Sequence, residues 1–61
     1  MKKSRFANNQ KVNLVKGFAD FPKGTEFTVL NNMKVKFKKE YCILVEDSSK
    51  IPHKVPTKYL K

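Results

Sequence analysis

The sequence predicts an all-β protein, a small five-stranded barrel that ends in a single 3₁₀ turn. Three observations support this fold class. Apolar residues recur with a period of two over several short stretches, which is typical of half-buried strands. Turn-forming residues such as Pro22 and Gly24 separate those stretches. No stretch of the sequence has the apolar spacing of a long helix.

The first half of the chain contains two predicted strands joined by a loop. Residues 10–16 form the first strand and residues 26–30 form the second. The loop between them begins and ends with glycine and contains two aromatic side chains, Phe18 and Phe21. We expect one of these aromatics to close an end of the barrel and the other to stay on the surface.

The second half contains three more predicted strands. The pair Asn31-Asn32 suits a tight hairpin turn because asparagine tolerates left-handed backbone conformations, so the third strand is predicted at residues 33–38. After a turn at Lys39-Glu40, the continuous apolar run of residues 41–45 indicates a central strand that is covered on both sides.

The chain ends in an edge strand and a short turn. Residues 46–50 have the composition of a turn, and the last strand follows it. Pro52 confines this strand to a sheet edge or a bulge because proline cannot donate to a ladder. Pro56 is predicted to begin one turn of 3₁₀ helix, with Tyr59 and Leu60 packing back onto the barrel.

The predicted core collects the inward-facing residues of these strands. In the third strand, Val35 and Phe37 alternate with Lys34 and Lys36, so we expect the apolar side chains to face inward and the lysines to face solvent. The predicted core contains Val12, Leu14, Phe27, Val29, Val35, Phe37, Ile43, Val45 and Leu60.

The chain is too small for an elaborate active site. A domain of 61 residues buries about 60% of its unfolded surface, so its core is thin. Cys42 and His53 are each the single residue of their type, and the two glycines do not form a phosphate-binding loop. We therefore predict a protein that is not an enzyme and holds neither a metal nor a cofactor.

Charge is the most unusual property of the sequence. The formal net charge is +9, which indicates a polyanionic partner such as nucleic acid, an anionic membrane or an acidic protein surface. No apolar stretch approaches transmembrane length, and the basic residues 1–9 precede no apolar run of the kind that signal peptides have. We expect a cytoplasmic protein whose residues 1–9 form a mobile basic arm.

The order of the elements resembles that of the SH3-like barrel family. The resemblance rests on the turn Phe21-Pro22-Lys23-Gly24-Thr25-Glu26, on the apolar strand 41–45, and on Val55-Pro56-Thr57-Lys58-Tyr59-Leu60, which is similar to the family's entry into its 3₁₀ turn. It covers residues 10–61 and implies that this range is the barrel.

The resemblance implies a binding protein but does not name the partner. Signalling members of the family bind Pro-rich peptides in an aromatic groove, and Pro56 and Tyr59 match two positions of that groove. The chain has no tryptophan and lacks the long acidic loop of those members. It is more similar to small bacterial, phage or archaeal barrels, many of which bind nucleic acid or proteins.

The leading hypothesis is a basic module that binds nucleic acid with little sequence preference. Lysines in alternate positions of one strand would form a row spaced by about 6.6 Å, and lysine contacts phosphate as a point charge without the fork that reads a base edge. Tyr41 or Phe18 would stack on bases if exposed. The predicted binding residues are Lys34, Lys36, Lys38, Lys39, Lys2, Lys3 and Arg5.

Two alternatives remain open at this point. The lysine row would also serve as a solvated face that protects a short sheet edge from aggregation. In the second alternative, the chain is a protein-interaction module, such as a phage-type accessory or inhibitor protein that docks on an acidic surface of a host protein. Its candidate contact residues are Phe18, Tyr41 and Tyr59, although Tyr59 is better explained as closing a barrel end.

Overall fold

The chain folds as a curled, four-stranded antiparallel half-barrel, and the computed structural model describes residues 2–61. Each strand pairs with the next strand in the chain, and a 3₁₀ turn follows the last one. The predicted all-β class and the 3₁₀ turn after Pro56 are confirmed. The elements are β1 (Lys11–Asn13), β2 (Glu26–Phe37), β3 (Glu40–Glu46), β4 (Pro52–Pro56) and the 3₁₀ turn Thr57–Tyr59.

The sheet curls because the C-terminal segment returns to β1. The backbones of Asn13 and Lys61 exchange two hydrogen bonds of 3.0 Å, and the Val15 N–H donates to the Tyr59 carbonyl at 2.8 Å. Pro52 lies at the start of β4, which is an edge strand, as its missing N–H requires. In the part of the chain that the structure describes, no helix has the length and apolarity needed to cross a membrane.

The loop between β1 and β2 is itself a small hairpin. Phe18 and Phe21 exchange two backbone hydrogen bonds of 2.9 Å, and both side chains are half-buried against the core. Neither ring is fully buried, so the prediction that one of them stays on the surface is left untested. The loop closes at Gly24, whose φ of 92° lies in the region that favours glycine and whose N–H donates to the Leu14 carbonyl at 2.8 Å.

The structure has four strands where five were predicted, because the expected hairpin turn at Asn31-Asn32 does not form. Both asparagines lie inside β2, which runs without a break from Glu26 to Phe37. The ladder with β3 is irregular here: β2 advances six residues from Val29 to Val35 while β3 advances three, from Val45 to Cys42. The asparagine pair thus marks a bulged bend in one long strand rather than a turn between two strands.

The bulge reverses the facing of the second half of β2. Three extra residues are an odd number, and a one-residue slip moves every following side chain to the other face of the sheet. Val35 and Phe37, both predicted in the core, are consequently 42% and 48% exposed. Their assignment to the core was wrong.

The observed core lies in the body of the half-barrel. It includes seven of the nine predicted core residues, and it adds Phe6 and Val55, which the sequence analysis did not place there. Its members are Phe6, Val12, Leu14, Phe27, Val29, Ile43, Val45, Val55 and Leu60. Phe18, Phe21 and Tyr59 pack against it from the outside.

Residues 2–9, predicted to be a mobile arm, lie along the bulged part of β2. The Ser4 N–H donates to the Asn32 carbonyl at 2.7 Å, and the Lys34 N–H donates to the Lys2 carbonyl at 2.8 Å. Phe6 is only 5% exposed. The bulge takes these backbone groups of β2 out of the ladder with β3, and the arm supplies the partners they need.

Candidate functional site

The far end of the β2–β3 hairpin has two chemically different faces. In the register of the hairpin, Lys36 is opposite Tyr41, and Val35 is opposite Cys42. Opposed residues project to the same side of a sheet, and neighbours along a strand project to opposite sides. One face therefore presents lysines with a tyrosine, while the other presents the apolar side chains of Val35 and Phe37.

The first face forms a groove of about 530 Å³, which we call the Tyr41 groove, lined by Lys2, Lys34, Lys36 and Tyr41. The Tyr41 side chain is 53% exposed. The Lys34 ammonium lies 5.4 Å from the centre of the Tyr41 ring, a cation–π distance. The groove thus combines three cations with one accessible aromatic ring.

Acidic side chains lie away from the Tyr41 groove. Within residues 2–61, its lining includes no carboxylate. Three of the five acids, Glu26, Glu46 and Asp47, instead line a separate polar groove together with Lys11 and Lys50. The positive charge of the Tyr41 groove is therefore not neutralised by a carboxylate in its lining, which favours an anionic ligand there.

The second face forms a more apolar groove of about 600 Å³, which we call the Phe37 groove. Its walls and floor include Phe18 and Phe37 and the buried side chains of Cys42 and Pro56. Three lysines and one glutamate complete the lining: Lys38, Lys39, Lys54 and Glu40. The ammonium groups of Lys38 and Lys54 lie 5.6 Å and 5.4 Å from the centre of the Phe37 ring.

Glu40 is already engaged by a cation outside the Phe37 groove. The Lys58 ammonium lies 2.6 Å from a Glu40 carboxylate oxygen, and this pairing raises the pKa of Lys58. The groove therefore presents Lys38, Lys39 and Lys54 to solvent with their one neighbouring carboxylate already paired.

Cys42 forms part of the floor of the Phe37 groove and is 3% exposed. Burial raises the pKa of its thiol, with a further increase from the nearby Glu40 carboxylate and a smaller opposing effect of Lys54. A thiol kept in its neutral form is a poor nucleophile. Cys42 therefore acts as a small apolar side chain.

The structure separates the lysines that were predicted to form one row. Lys34 and Lys36 line the Tyr41 groove and are joined there by Lys2 from the N-terminal segment. Lys38 and Lys39 form the turn at the tip of the hairpin and line the Phe37 groove instead. The row divides because the strand ends at Phe37 and Lys38 adopts a φ of 59° in the turn.

Two residues of the predicted basic arm differ in their surroundings. The Arg5 guanidinium donates to the carbonyls of Leu60 and Thr57 at 2.5 Å and 3.2 Å and lies over the Phe6 ring. Arg5 thus ties the N-terminal segment to the end of the 3₁₀ turn while the residue stays exposed. Lys3 is exposed and its backbone pairs with Met33.

The three aromatic residues predicted to contact a partner differ in exposure. Tyr41 is exposed, whereas Phe18 and Tyr59 are half-buried with their ring centres 5.7 Å apart. Lys16 lies 4.7 Å from the centre of the Tyr59 ring. Both rings pack against the core, and Phe18 also contributes a wall of the Phe37 groove.

At the opposite end of the sheet, Asp47 organises the turn between β3 and β4. One carboxylate oxygen accepts from the Ser49 and Ile51 N–H groups, and the other lies 2.9 Å from the His53 Nε2. The hydrogen bond with His53, followed by that from the Ile51 N–H, lowers the pKa of Asp47. The His53 ring packs edge-on against Phe21 with the ring centres 4.9 Å apart, so this pair has a structural role.

Sequence reasoning did not find the Phe37 groove. Phe37 was assigned to the core, and its neighbours Cys42, Lys54 and Pro56 were not recognised because they lie on two other strands, β3 and β4. The ladder places Cys42 opposite both Val35 and Pro56. The one available signal was the Asn31-Asn32 pair, which fits a bulge as well as a turn.

The comparisons with known proteins provide no relative for this chain: no family model, no curated protein and no solved structure matches it.

Proposed function

We propose that this protein is a small basic binding module that binds nucleic acid, preferably single-stranded and with little sequence preference, through the Tyr41 groove. The observation that supports the proposal is the grouping of three lysines around an exposed tyrosine, with the acids elsewhere. Lysines supply contacts to phosphate, and an accessible aromatic ring supplies a stacking platform that accepts any base.

The groove is assembled from two distant parts of the chain. Lys34 and Lys36 follow the bulge in β2, and Lys2 is held beside them because its carbonyl accepts the Lys34 N–H at 2.8 Å. Backbone pairing thus positions the cations before any ligand arrives, so less conformational entropy is lost on binding. Low sequence preference follows from the composition, since the chain has a single arginine and no other guanidinium fork.

We also propose that the half-barrel is of the SH3-like type. The return turn at Pro22–Thr25 supports this assignment, because the Thr25 hydroxyl donates to the Pro22 carbonyl at 2.7 Å and the loop then enters β2. The 3₁₀ turn that follows Pro56, and the packing of Leu60 against Leu14, support it as well. Barrels of this type bind many kinds of partner, so the function is argued from the groove alone.

The proposal is tested by titrating the protein into fluorescein-labelled single-stranded DNA, single-stranded RNA and duplex DNA at several salt concentrations. We expect single strands to bind more tightly than duplex, because only unpaired bases present a free face to Tyr41. We expect the logarithm of the binding constant to fall linearly with the logarithm of salt concentration. No binding of any strand at low salt would reject the proposal.

Variants of the Tyr41 groove locate the interface. Tyr41→Ala should weaken single-strand binding by about 1–3 kcal/mol, whereas Tyr41→Phe, which retains the ring, should bind nearly as well as the native protein. The double variant Lys34→Ala/Lys36→Ala should reduce the salt slope by about 1.4, since each phosphate contact on a single strand contributes about 0.7.

A matched control separates the groove from net charge. The double variant Lys11→Ala/Lys50→Ala removes the same two charges from the polar groove that contains Glu26, Glu46 and Asp47. We expect it to retain the native salt slope. Equal losses in the two double variants would show that the net charge of +9, and not the Tyr41 groove, is responsible for binding.

A further inference from the structure

The Phe37 groove has a composition different from that of the Tyr41 groove and lies on the other face of the same hairpin. Phe37 is 48% exposed and Val35 is 42% exposed, while Leu44 and Met33 on the same part of the sheet are half-buried. A small protein gains stability by burying such side chains, and an exposed apolar patch that is rimmed by polar residues is typical of an interaction site.

The shape of the groove suits an inserted side chain. Cys42 and Pro56 are both buried and lie side by side in the ladder between β3 and β4, so they form a floor between Phe37 and Phe18. A volume of about 600 Å³ is large enough for an aliphatic or aromatic side chain together with part of its backbone.

The rim determines the charge of the occupant. Lys38, Lys39 and Lys54 surround the apolar floor, and Glu40 is paired with Lys58 at 2.6 Å. An occupant that carries carboxylates on both sides of an apolar residue would satisfy both parts of the groove. A second copy of this chain would instead bring lysine rims together at a net charge of +9 per copy, which opposes self-association.

From these observations we propose that the Phe37 groove binds an acidic protein segment that inserts one large apolar side chain between Phe37 and Phe18 and places its carboxylates against Lys38, Lys39 and Lys54. The proposed site is independent of the Tyr41 groove, because Lys34, Lys36 and Tyr41 project to the opposite face of the hairpin. The two ligands can therefore be bound at the same time.

Nucleic acid fits the Phe37 groove less well. Its lining contains four apolar side chains in a concavity, whereas the Tyr41 groove has a single aromatic among lysines. The ammonium groups of Lys38 and Lys54 already lie over the Phe37 ring, so a stacked base would have to displace them. An apolar side chain that enters above Cys42 and Pro56 leaves those cations free to meet carboxylates.

The proposal is tested by NMR titration of the ¹⁵N-labelled protein with three synthetic peptides. The first is a heptapeptide with leucine at its centre and three glutamates on each side. The second has serine in place of the leucine, and the third keeps the leucine but has glutamine in place of every glutamate. We expect only the first peptide to shift the amides of Phe37, Lys38, Cys42 and Lys54 in a saturable way, with an affinity at least fivefold above that of either control.

Two variants place the peptide in the groove. Phe37→Ala and Lys54→Glu should each weaken the leucine peptide at least fivefold, and the spectra of the free variants report whether they are folded. The matched variant Tyr41→Ala, on the other face, should bind the peptide as the native protein does. Conversely, Phe37→Ala should leave the affinity for single-stranded DNA within twofold of the native value.

Three results would overturn the proposal. Shifts of equal size with the leucine and serine peptides, spread over lysines throughout the protein, would mean that only charge is recognised. A lack of saturable shifts at millimolar peptide would mean that the groove has no affinity for this chemistry. Displacement of the peptide from native protein by single-stranded DNA, with the DNA shifting the same Phe37 and Lys54 amides, would assign the groove to nucleic acid.

Discussion

The two halves of β2 have the same alternating pattern, but the apolar side chains are buried in the first half and exposed in the second. In the first half, Phe27 and Val29 are 1% and 0% exposed and lie at the centre of the core. In the second half, Val35 and Phe37 are 42% and 48% exposed on the outer face of the sheet. The irregular ladder between Val29 and Val35 separates the halves.

A bulge can thus divide one strand into a part that builds the core and a part whose apolar side chains are exposed. Before the bulge, apolar side chains stabilise the half-barrel. Beyond it, the hairpin extends past the core, so its apolar residues and its lysines are both available to ligands on separate faces. Bulges are common next to functional sites because they re-aim side chains in this way.

The largest expected effect is a difference in stability between variants of the two halves of β2. Phe27→Ala should lower the free energy of unfolding by about 3–5 kcal/mol, because it leaves a cavity in the core, and this is comparable to the whole stability of a small domain. Phe37→Ala should cost about 1 kcal/mol or less, since the side chain is half-exposed and no cavity forms. Urea unfolding measures both values, and equal losses would contradict the facing assigned to the second half of β2.

A substitution of Phe6 tests whether residues 2–9 pack along the bulged part of β2. Phe6→Ala should cost about 3 kcal/mol, because this side chain is 5% exposed and belongs to the core cluster. The exposed neighbour Lys3 provides the control, and Lys3→Ala should change the free energy of unfolding little. An unfolding midpoint of Phe6→Ala equal to that of the native protein would mean that residues 2–9 are a free arm, as the sequence predicted.

Acid unfolding should report on the turn between β3 and β4, where Asp47 is hydrogen-bonded. The pKa of Asp47 is lowered in the folded state, so its stabilisation is complete above the unfolded pKa of about 4 and is lost as the pH falls through the lower folded value. Thermal unfolding of native protein between pH 6 and pH 2 should show this loss, and Asp47→Asn should have a flatter profile. Asp20→Asn, in the exposed turn before Phe21, controls for the removal of one carboxylate. If the pH dependence of thermal unfolding is the same for Asp47→Asn as for the native protein, the contact between Asp47 and His53 is contradicted.

The smallest expected effects concern the turns at the two ends of β3. Lys38 and Lys50 have φ values of 59° and 64°, which cost an L-residue about 1–2 kcal/mol. Lys38→Gly and Lys50→Gly should each raise the free energy of unfolding by a few tenths to about 1 kcal/mol, after the larger unfolded-state entropy of glycine is subtracted. Lys39→Gly is the matched control and should lower stability. A loss of stability in both test variants would contradict the backbone geometry of these turns.

The sequence alone determined the parts of the fold that depend on local chemistry. Period-two alternation predicted strands, the composition of residues 46–50 predicted the turn before β4, and Pro56 predicted the start of the 3₁₀ turn. Pro52 predicted either an edge or a bulge for the last strand because proline has no N–H to donate, and β4 is an edge strand. Seven of the predicted core residues lie in the observed core, and none of the seven lies in β2 beyond the bulge.

The tertiary structure decided everything that depends on register. Whether Asn31-Asn32 turns the chain or bulges it depends on partners for its backbone, and those partners come from residues 2–8, more than twenty residues earlier in the chain. That choice fixes the facing of Val35 and Phe37, and hence which lysines meet Tyr41 and which meet Phe37. Alternation predicts that neighbouring side chains point to opposite faces, but only the pairing of distant segments determines which face is buried.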